Sequence, residues 1–227
     1  YTVVPIASVV KVDNDIPLDK AALVGCGVTT GYGAAVRTGG TQDGETVVVM
    51  GVGGLGINAV QGARIAGARY VIALDPVEYK RTRAAEFGAT HAAADVAEAA
   101  ALITDLTRGQ MADVCVVTTD SAEGAYVAQA LSLVGKRGRV VMTAIPHPTD
   151  TVVDMSLFDL TLYEKQVRGC LFGSSNPRTD IYRMLELYQA GRLELDRLIT
   201  REYQLEDVNQ GYEDMHNGVN LRGLIRF

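Results

Sequence analysis

At 227 residues, 48% of them hydrophobic and 21% charged, the chain is long enough to bury a sizeable core and too apolar to be disordered. A formal net charge of −6 repels phosphate backbones and excludes nucleic acid as a general partner. The three cysteines, Cys26, Cys115 and Cys170, form no close pair, which excludes a disulfide framework or a zinc ribbon and fits a reducing cytoplasm.

In chain order, residues 1–12 read as strands. They carry no basic stretch of the kind that opens a secretory signal. The absence of an initiator Met and the strand-like start Tyr-Thr-Val-Val lead to the expectation of a fragment or a trimmed chain. Residues 19–37 read as a helix leading into a sheet, with Gly-Cys-Gly-Val-Thr-Thr-Gly-Tyr-Gly at its centre.

An alternation follows. Strand-like runs stand at 46–50, 70–74, 114–118 and 139–143, each short, apolar on both faces and rich in Val. That is the pattern of a parallel strand covered on both sides. Helical runs at 57–66, 79–87, 96–106 and 122–131 lie among them. In the third, Val96, Ala99, Ala100, Ile103 and Leu106 keep the spacing of one helix face, and Gly109 supplies a stop. His91, in Thr-His-Ala-Ala, sits on one more short strand. Repeated strand-then-helix units predict an α/β fold: a Rossmann-type doubly wound parallel sheet. After about residue 172 the alternation stops; a helix at 178–190, a strand at 199–203, a helix at 205–217 and a terminal strand at 221–227 read as part of a second domain. Residues 46–63 are too polar and too rich in glycine for a membrane span, so no membrane partner is expected.

The strongest local signal is Gly51-Val52-Gly53-Gly54-Leu55-Gly56, directly after a strand and directly before a helix. In a G-x-G-x-x-G turn the first glycine permits the tight turn. The second lets backbone approach a pyrophosphate, and the last lets helix and strand pack closely. The helix start adds N–H groups and a positive dipole end for phosphate. Asp75 closes the second strand, where a carboxylate accepts from both ribose hydroxyls of an adenosine and repels a 2′-phosphate, favouring NAD over NADP. A plain helix cap is the other reading of Asp75, since Pro76 follows. Lys80 stands one turn on, over the ribose or in solvent. An S-adenosylmethionine enzyme uses the same glycine turn and acid, but the stricter glycine pattern and the flanking half-domains disfavour it.

The run 25–36, Gly-Cys-Gly-Val-Thr-Thr-Gly-Tyr-Gly-Ala-Ala-Val, then Gly-Val-Gly-Gly-Leu-Gly, Asp75 and the ending Leu-Arg-Gly-Leu-Ile-Arg-Phe resemble the zinc-dependent medium-chain alcohol dehydrogenases. The resemblance covers the C-terminal part of that family. It implies three pieces: residues 1–27 as a remnant of a GroES-like, mainly-β catalytic domain, 28–172 as the NAD-binding domain, and 173–227 as the return to the catalytic domain. It also implies that Cys26 is a catalytic zinc ligand whose partners, a Cys and a His, lie upstream. Thr30 then stands beside the nicotinamide ring and Leu55 behind it. Ile145, Leu171 and Phe172 receive the carboxamide through backbone, and Arg222 holds the pyrophosphate. Residues 151–171 resemble the region where two subunits join sheets edge to edge, implying a homodimer or a dimer-based homo-oligomer. The activity implied is hydride transfer between a small alcohol or aldehyde and NAD, with this chain alone inactive. An NAD-binding module without chemistry and a zinc-free reductase of the same superfamily are the other readings. Of the histidines, His91, His147 and His216 make no metal-ligand spacing; Cys115 reads as core, and Cys170 stays unassigned.

Overall fold

A computed structural model describes residues 3–121, 123–149 and 151–227. Its centre is a parallel sheet of six strands: β1 (Thr46–Met50), β2 (Tyr70–Leu74), β3 (His91–Ala93), β4 (Ala112–Val117), β5 (Val134–Met142) and β6 (Gln166–Gly169). They lie in the order β3-β2-β1-β4-β5-β6. The chain therefore starts in the middle, winds out one way, returns and winds out the other, and a crevice opens at the carboxyl end where the direction reverses.

The valines explain the sheet. Each central strand sends alternate side chains into two separate cores. Val47, Val49, Val71, Ala73, Val114 and Val116 face one, which α1 (Leu18–Val24), α2 (Gly27–Gly33), α3 (Gly56–Ile65), α4 (Glu78–Glu86) and α8 (Pro177–Gln189) help to cover. Val48, Met50, Ile72, Leu74, Cys115 and Val117 face the other, under α5 (Val96–Thr107) and α6 (Gly124–Leu133). Removing each such valine from water contributes about 1.5–3 kcal/mol. Cys115 is a core residue, and burial pushes its thiol up to about 12. Asp95 caps α5 by accepting from the Glu98 N–H at 2.9 Å. The helix stops at Arg108 and Gly109, both left-handed, with the Gly109 N–H on the Thr104 carbonyl.

Four features depart from the sequence pattern. Residues 3–12 form no strand; they run extended around one 3-10 turn, Ile6–Ser8, with Val3 and Ile6 in solvent. A strand needs a ladder partner, and none is present among the described residues. Residues 1–2, the start of that expected strand, and Ala122, the expected start of α6, lie outside the described residues. The single helix expected at 19–37 is three pieces. It breaks at Cys26 (φ −149°, ψ −84°) between α1 and α2, and widens into a π-turn at Ala34–Thr38. Carbonyls at and after its end are taken up by arginines: Arg168 donates to Thr38 O at 2.7 Å and Arg139 to Gly40 O at 3.1 Å. An unforeseen short helix, α7 (Leu157–Leu162), precedes β6.

The last part of the chain forms a two-stranded parallel pair, β7 (Ile199–Gln204) and β8 (Arg222–Arg226), linked by α9 (Val208–His216). The expected helix at 205–217 begins as a 3-10 turn, Leu205–Asp207. Met184, Leu185, Leu193, Leu195, Leu198 and Leu221 share the buried cluster that holds Val47 and Val71. Two hydrogen bonds also tie the parts together: the Gln61 side-chain amide on α3 donates to Glu194 O at 3.0 Å and accepts from Glu194 N–H at 2.7 Å.

Candidate functional site

The site lies at the carboxyl end of β1. Gly51 leaves the strand at φ +87°, a left-handed conformation that glycine adopts without strain. Its N–H donates to Leu74 O at 2.7 Å, and its carbonyl accepts from Thr118 Oγ1 at the end of β4. Gly56 opens α3 directly against this turn. A Cβ there would overlap the Gly51 carbonyl oxygen and stand 2.6 Å from Thr118 Oγ1. Gly53 faces open space, its nearest neighbour being Lys80 Nζ, 4.0 Å from where a Cβ would be. The N–H groups of Gly54 and Leu55 find no acceptor among the described residues. They are donors at a helix start, free for an anion.

Two cations flank this turn. Arg222, the first residue of β8, extends its guanidinium into space that two glycines leave. A Cβ on Gly27 would overlap Nη2 and lie 2.9 Å from Cζ; one on Gly54 would lie 2.5 Å from Leu221 O and 2.8 Å from Arg222 Cδ. No carboxylate pairs with Arg222 among the described residues. Burial draws its pKa below the usual arginine value, and the nearby Cys26 side chain offsets part of that. Lys80 is half-buried on α4, with Cε packed 3.4 Å from where a Gly218 Cβ would be, and it also has no carboxylate partner among the described residues. Half-buried cations without counter-charges are costly unless an anion arrives.

Asp75 is 4% exposed at the end of β2. One carboxylate oxygen accepts from the Val52 N–H at 3.0 Å, the other from the Val77 N–H at 2.9 Å. It thus fixes the glycine turn and starts the next helical turn together. Each oxygen keeps acceptor capacity for a hydroxyl. On the far side of that turn Arg81 donates to the carbonyls of Asp75 and Pro76.

The glycines of 25–33 have separate tasks that the sequence reading did not assign. Gly27 makes room for Arg222; Gly31 for Leu55 O and Asn58 Cβ at the start of α3; Gly33 for the backbone of Gly173. Every second or fourth residue of α2 lacks a side chain because a different neighbour touches its backbone. Thr30, 7% exposed, lies beside this seam: a Cβ on Gly173 would stand 2.8 Å from Thr30 O. The seam carries Phe172, Gly173 and Ser174, three consecutive residues at positive φ (51°, 66° and 49°), an arrangement that costs energy outside glycine. Thr38 Oγ1 and Ser174 Oγ hold it at 2.8 Å.

The fold therefore brings together the turn 51–56, Asp75, Lys80 and Arg222, and places Cys26 beside Arg222. Thr30, Leu55 and Phe172 gather along α2. Leu171 is 79% exposed at the edge of this group, and Ile145 stands 79% exposed on the loop after β5. Cys26 itself is exposed, not a core thiol. Among the described residues no three His, Cys, Asp or Glu side chains converge as a metal site. Sequence reasoning missed Thr118, whose hydroxyl ties β4 to the glycine turn, and Asn58, whose amide donates to Gly54 O at 2.9 Å. Both are ordinary polar residues with no motif to mark them.

A doubly wound parallel sheet with this turn, acid and cation pair defines a Rossmann-type domain of the dehydrogenase kind. Residues 54–190 match the family described as zinc-binding dehydrogenase. The chain belongs to that family, the zinc-dependent medium-chain alcohol dehydrogenases. It is 53% identical over 218 residues, 96% of its length, to a putative alcohol dehydrogenase D of Mycobacterium tuberculosis and to an NDMA-dependent alcohol dehydrogenase of Amycolatopsis methanolica. It spans 59% of the length of each. Among solved structures, a zinc-binding-domain alcohol dehydrogenase protein from Burkholderia ambifaria superposes with a TM-score of 0.88 at 32% identity, covering 96% of this chain and 58% of that one. Benzyl alcohol dehydrogenase from Acinetobacter calcoaceticus gives 0.87 at 28% identity, covering 96% and 59%.

Proposed function

We propose that these residues form the NAD-binding part of an alcohol dehydrogenase that interconverts a small alcohol and its aldehyde or ketone, with Cys26 as one ligand of a catalytic zinc. The observation that carries this reading is the pair of cations without counter-charges among the described residues, Arg222 and Lys80, on either side of a glycine turn whose next strand ends in buried Asp75. That set suits a dinucleotide: free N–H groups and guanidinium for the diphosphate, a carboxylate for the ribose diol. When bound, NAD supplies the hydride acceptor and zinc the Lewis acidity that stabilises an alkoxide. The chain's own residues bind and orient. The left-handed segment 172–174 and Thr30 shape the wall where a nicotinamide would lie, and Leu55 backs it.

Titration of the protein with NADH and with NADPH, followed by nicotinamide fluorescence, tests this. NADH is expected to bind at least about tenfold more tightly, because Asp75 opposes a 2′-phosphate. Absence of NADH binding overturns the reading; equal affinities overturn the role of Asp75.

The free edge of β6, with Leu157, Phe158, Leu162 and Val167 exposed beside it, supports a homodimer joined through residues 151–171. Multi-angle light scattering giving a monomer mass at micromolar concentration would remove that proposal. No described helix is long and apolar enough to cross a membrane. A cytoplasmic location is part of the same proposal, supported by the three unpaired cysteines.

A further inference from the structure

Arg222 has no side-chain partner of its own among the described residues, yet the chain on either side of it is held, at Asn220 and at Gly223, and both contacts lead to one residue. The Tyr203 hydroxyl, on β7, donates to Asp214 Oδ2 at 2.7 Å and accepts from Asn220 Nδ2 at 3.0 Å. The Tyr203 ring meanwhile packs against Gly223: a Cβ there would stand 2.7 Å from ring atom Cε2. Tyr203 therefore grips the chain two residues before Arg222 and one residue after it. Asp214, buried on α9, anchors the grip by accepting also from Arg201 and from Gln210 Nε2 at 3.0 Å. These bonds hold the Asp214 carboxyl below its usual range, the Tyr203 bond most of all. A second tie comes from Thr200 Oγ1, which accepts from the Leu221 N–H at 3.0 Å.

We propose that Tyr203, anchored on Asp214, is a positioning residue that aims the Arg222 guanidinium at the diphosphate of the dinucleotide. The proposal rests on the dinucleotide reading above. Its physical content is preorganisation. An arginine on a terminal strand loses several rotatable bonds on binding an anion, and a backbone held on both sides lowers that cost before the ligand arrives. A hub serving only to hold α9 on the sheet would not require the hydroxyl to reach Asn220 or the ring to lie on Gly223.

The test is a double-mutant cycle on NADH affinity with Tyr203→Phe, Arg222→Ala and the pair. Phenylalanine keeps the ring on Gly223 and deletes both hydroxyl bonds, so the fold persists. Tyr203→Phe is expected to weaken NADH about tenfold in the wild-type background and less than about twofold when Arg222 is already alanine. Equal losses in both backgrounds, or no loss in either, overturn the proposal. If the wild-type protein binds no NADH, the dinucleotide reading fails. The positioning claim is then decided by the heteronuclear NOE of the Arg222 Nε–H: a drop on Tyr203→Phe supports it and an unchanged value overturns it.

Discussion

Alanine at position 56 is expected to lower the melting temperature by roughly 4–10 °C and to raise the dissociation constant for NADH at least about a hundredfold. The new methyl group has nowhere to go. It would overlap the Gly51 carbonyl and press within 2.6 Å of Thr118 Oγ1, and both are backbone or backbone-tied groups that move only if the turn itself opens. Overpacking of this kind costs about 1–3 kcal/mol. The binding loss follows from geometry: moving Gly51 also moves Val52, whose N–H holds Asp75, and so disturbs the phosphate and ribose subsites together. Scanning calorimetry and fluorescence titration of the same sample measure both quantities. A variant that melts and binds as the wild type does would remove the close-packed turn from this account.

Serine at position 26 is expected to behave in the opposite way. On the proposed zinc role of Cys26, zinc content should fall to less than about a tenth of an equivalent, and alcohol turnover by a hundredfold or more. Folding of the chain should be unchanged within about 0.5 kcal/mol, because Cys26 is exposed at a break between two helices. Metal analysis by emission spectroscopy together with thermal melting of the metal-free protein separates the two effects. Retained zinc with retained activity would show that Cys26 is no ligand.

The centre of the sheet was legible because β1 and β2 are buried on both faces. β1 and β2 fall on the residues that the valine runs mark, and Asp75 falls at the strand end where the glycine pattern requires an acid. The flanks were not, for a physical reason: a strand is stabilised by its partner, and residues 3–12 have apolar β-branched side chains but no strand beside them among the described residues. The helix read at 19–37 breaks where Cys26 alone leaves the helical region, and apolar spacing does not report backbone angles. The candidate site was legible as a list of residues and opaque as a set of contacts. Gly27, Gly31 and Gly33 read as one glycine-rich stretch of a helix, whereas each is matched to a different distant group, Arg222, Leu55 or Gly173. The same holds for Tyr203 and Asp214, whose importance comes from what they touch.

The meeting of Gly33 with Gly173 has a mechanical consequence. Here α2 and the left-handed segment 172–174 touch backbone to backbone, with no side chain between them. Side-chain contacts absorb small displacements by changing rotamer, as a compressible joint would. A seam of bare main chain has no such slack. A tilt of α2 would therefore be passed to the 172–174 segment through main chain alone, which couples the Cys26 end of that helix mechanically to Phe172.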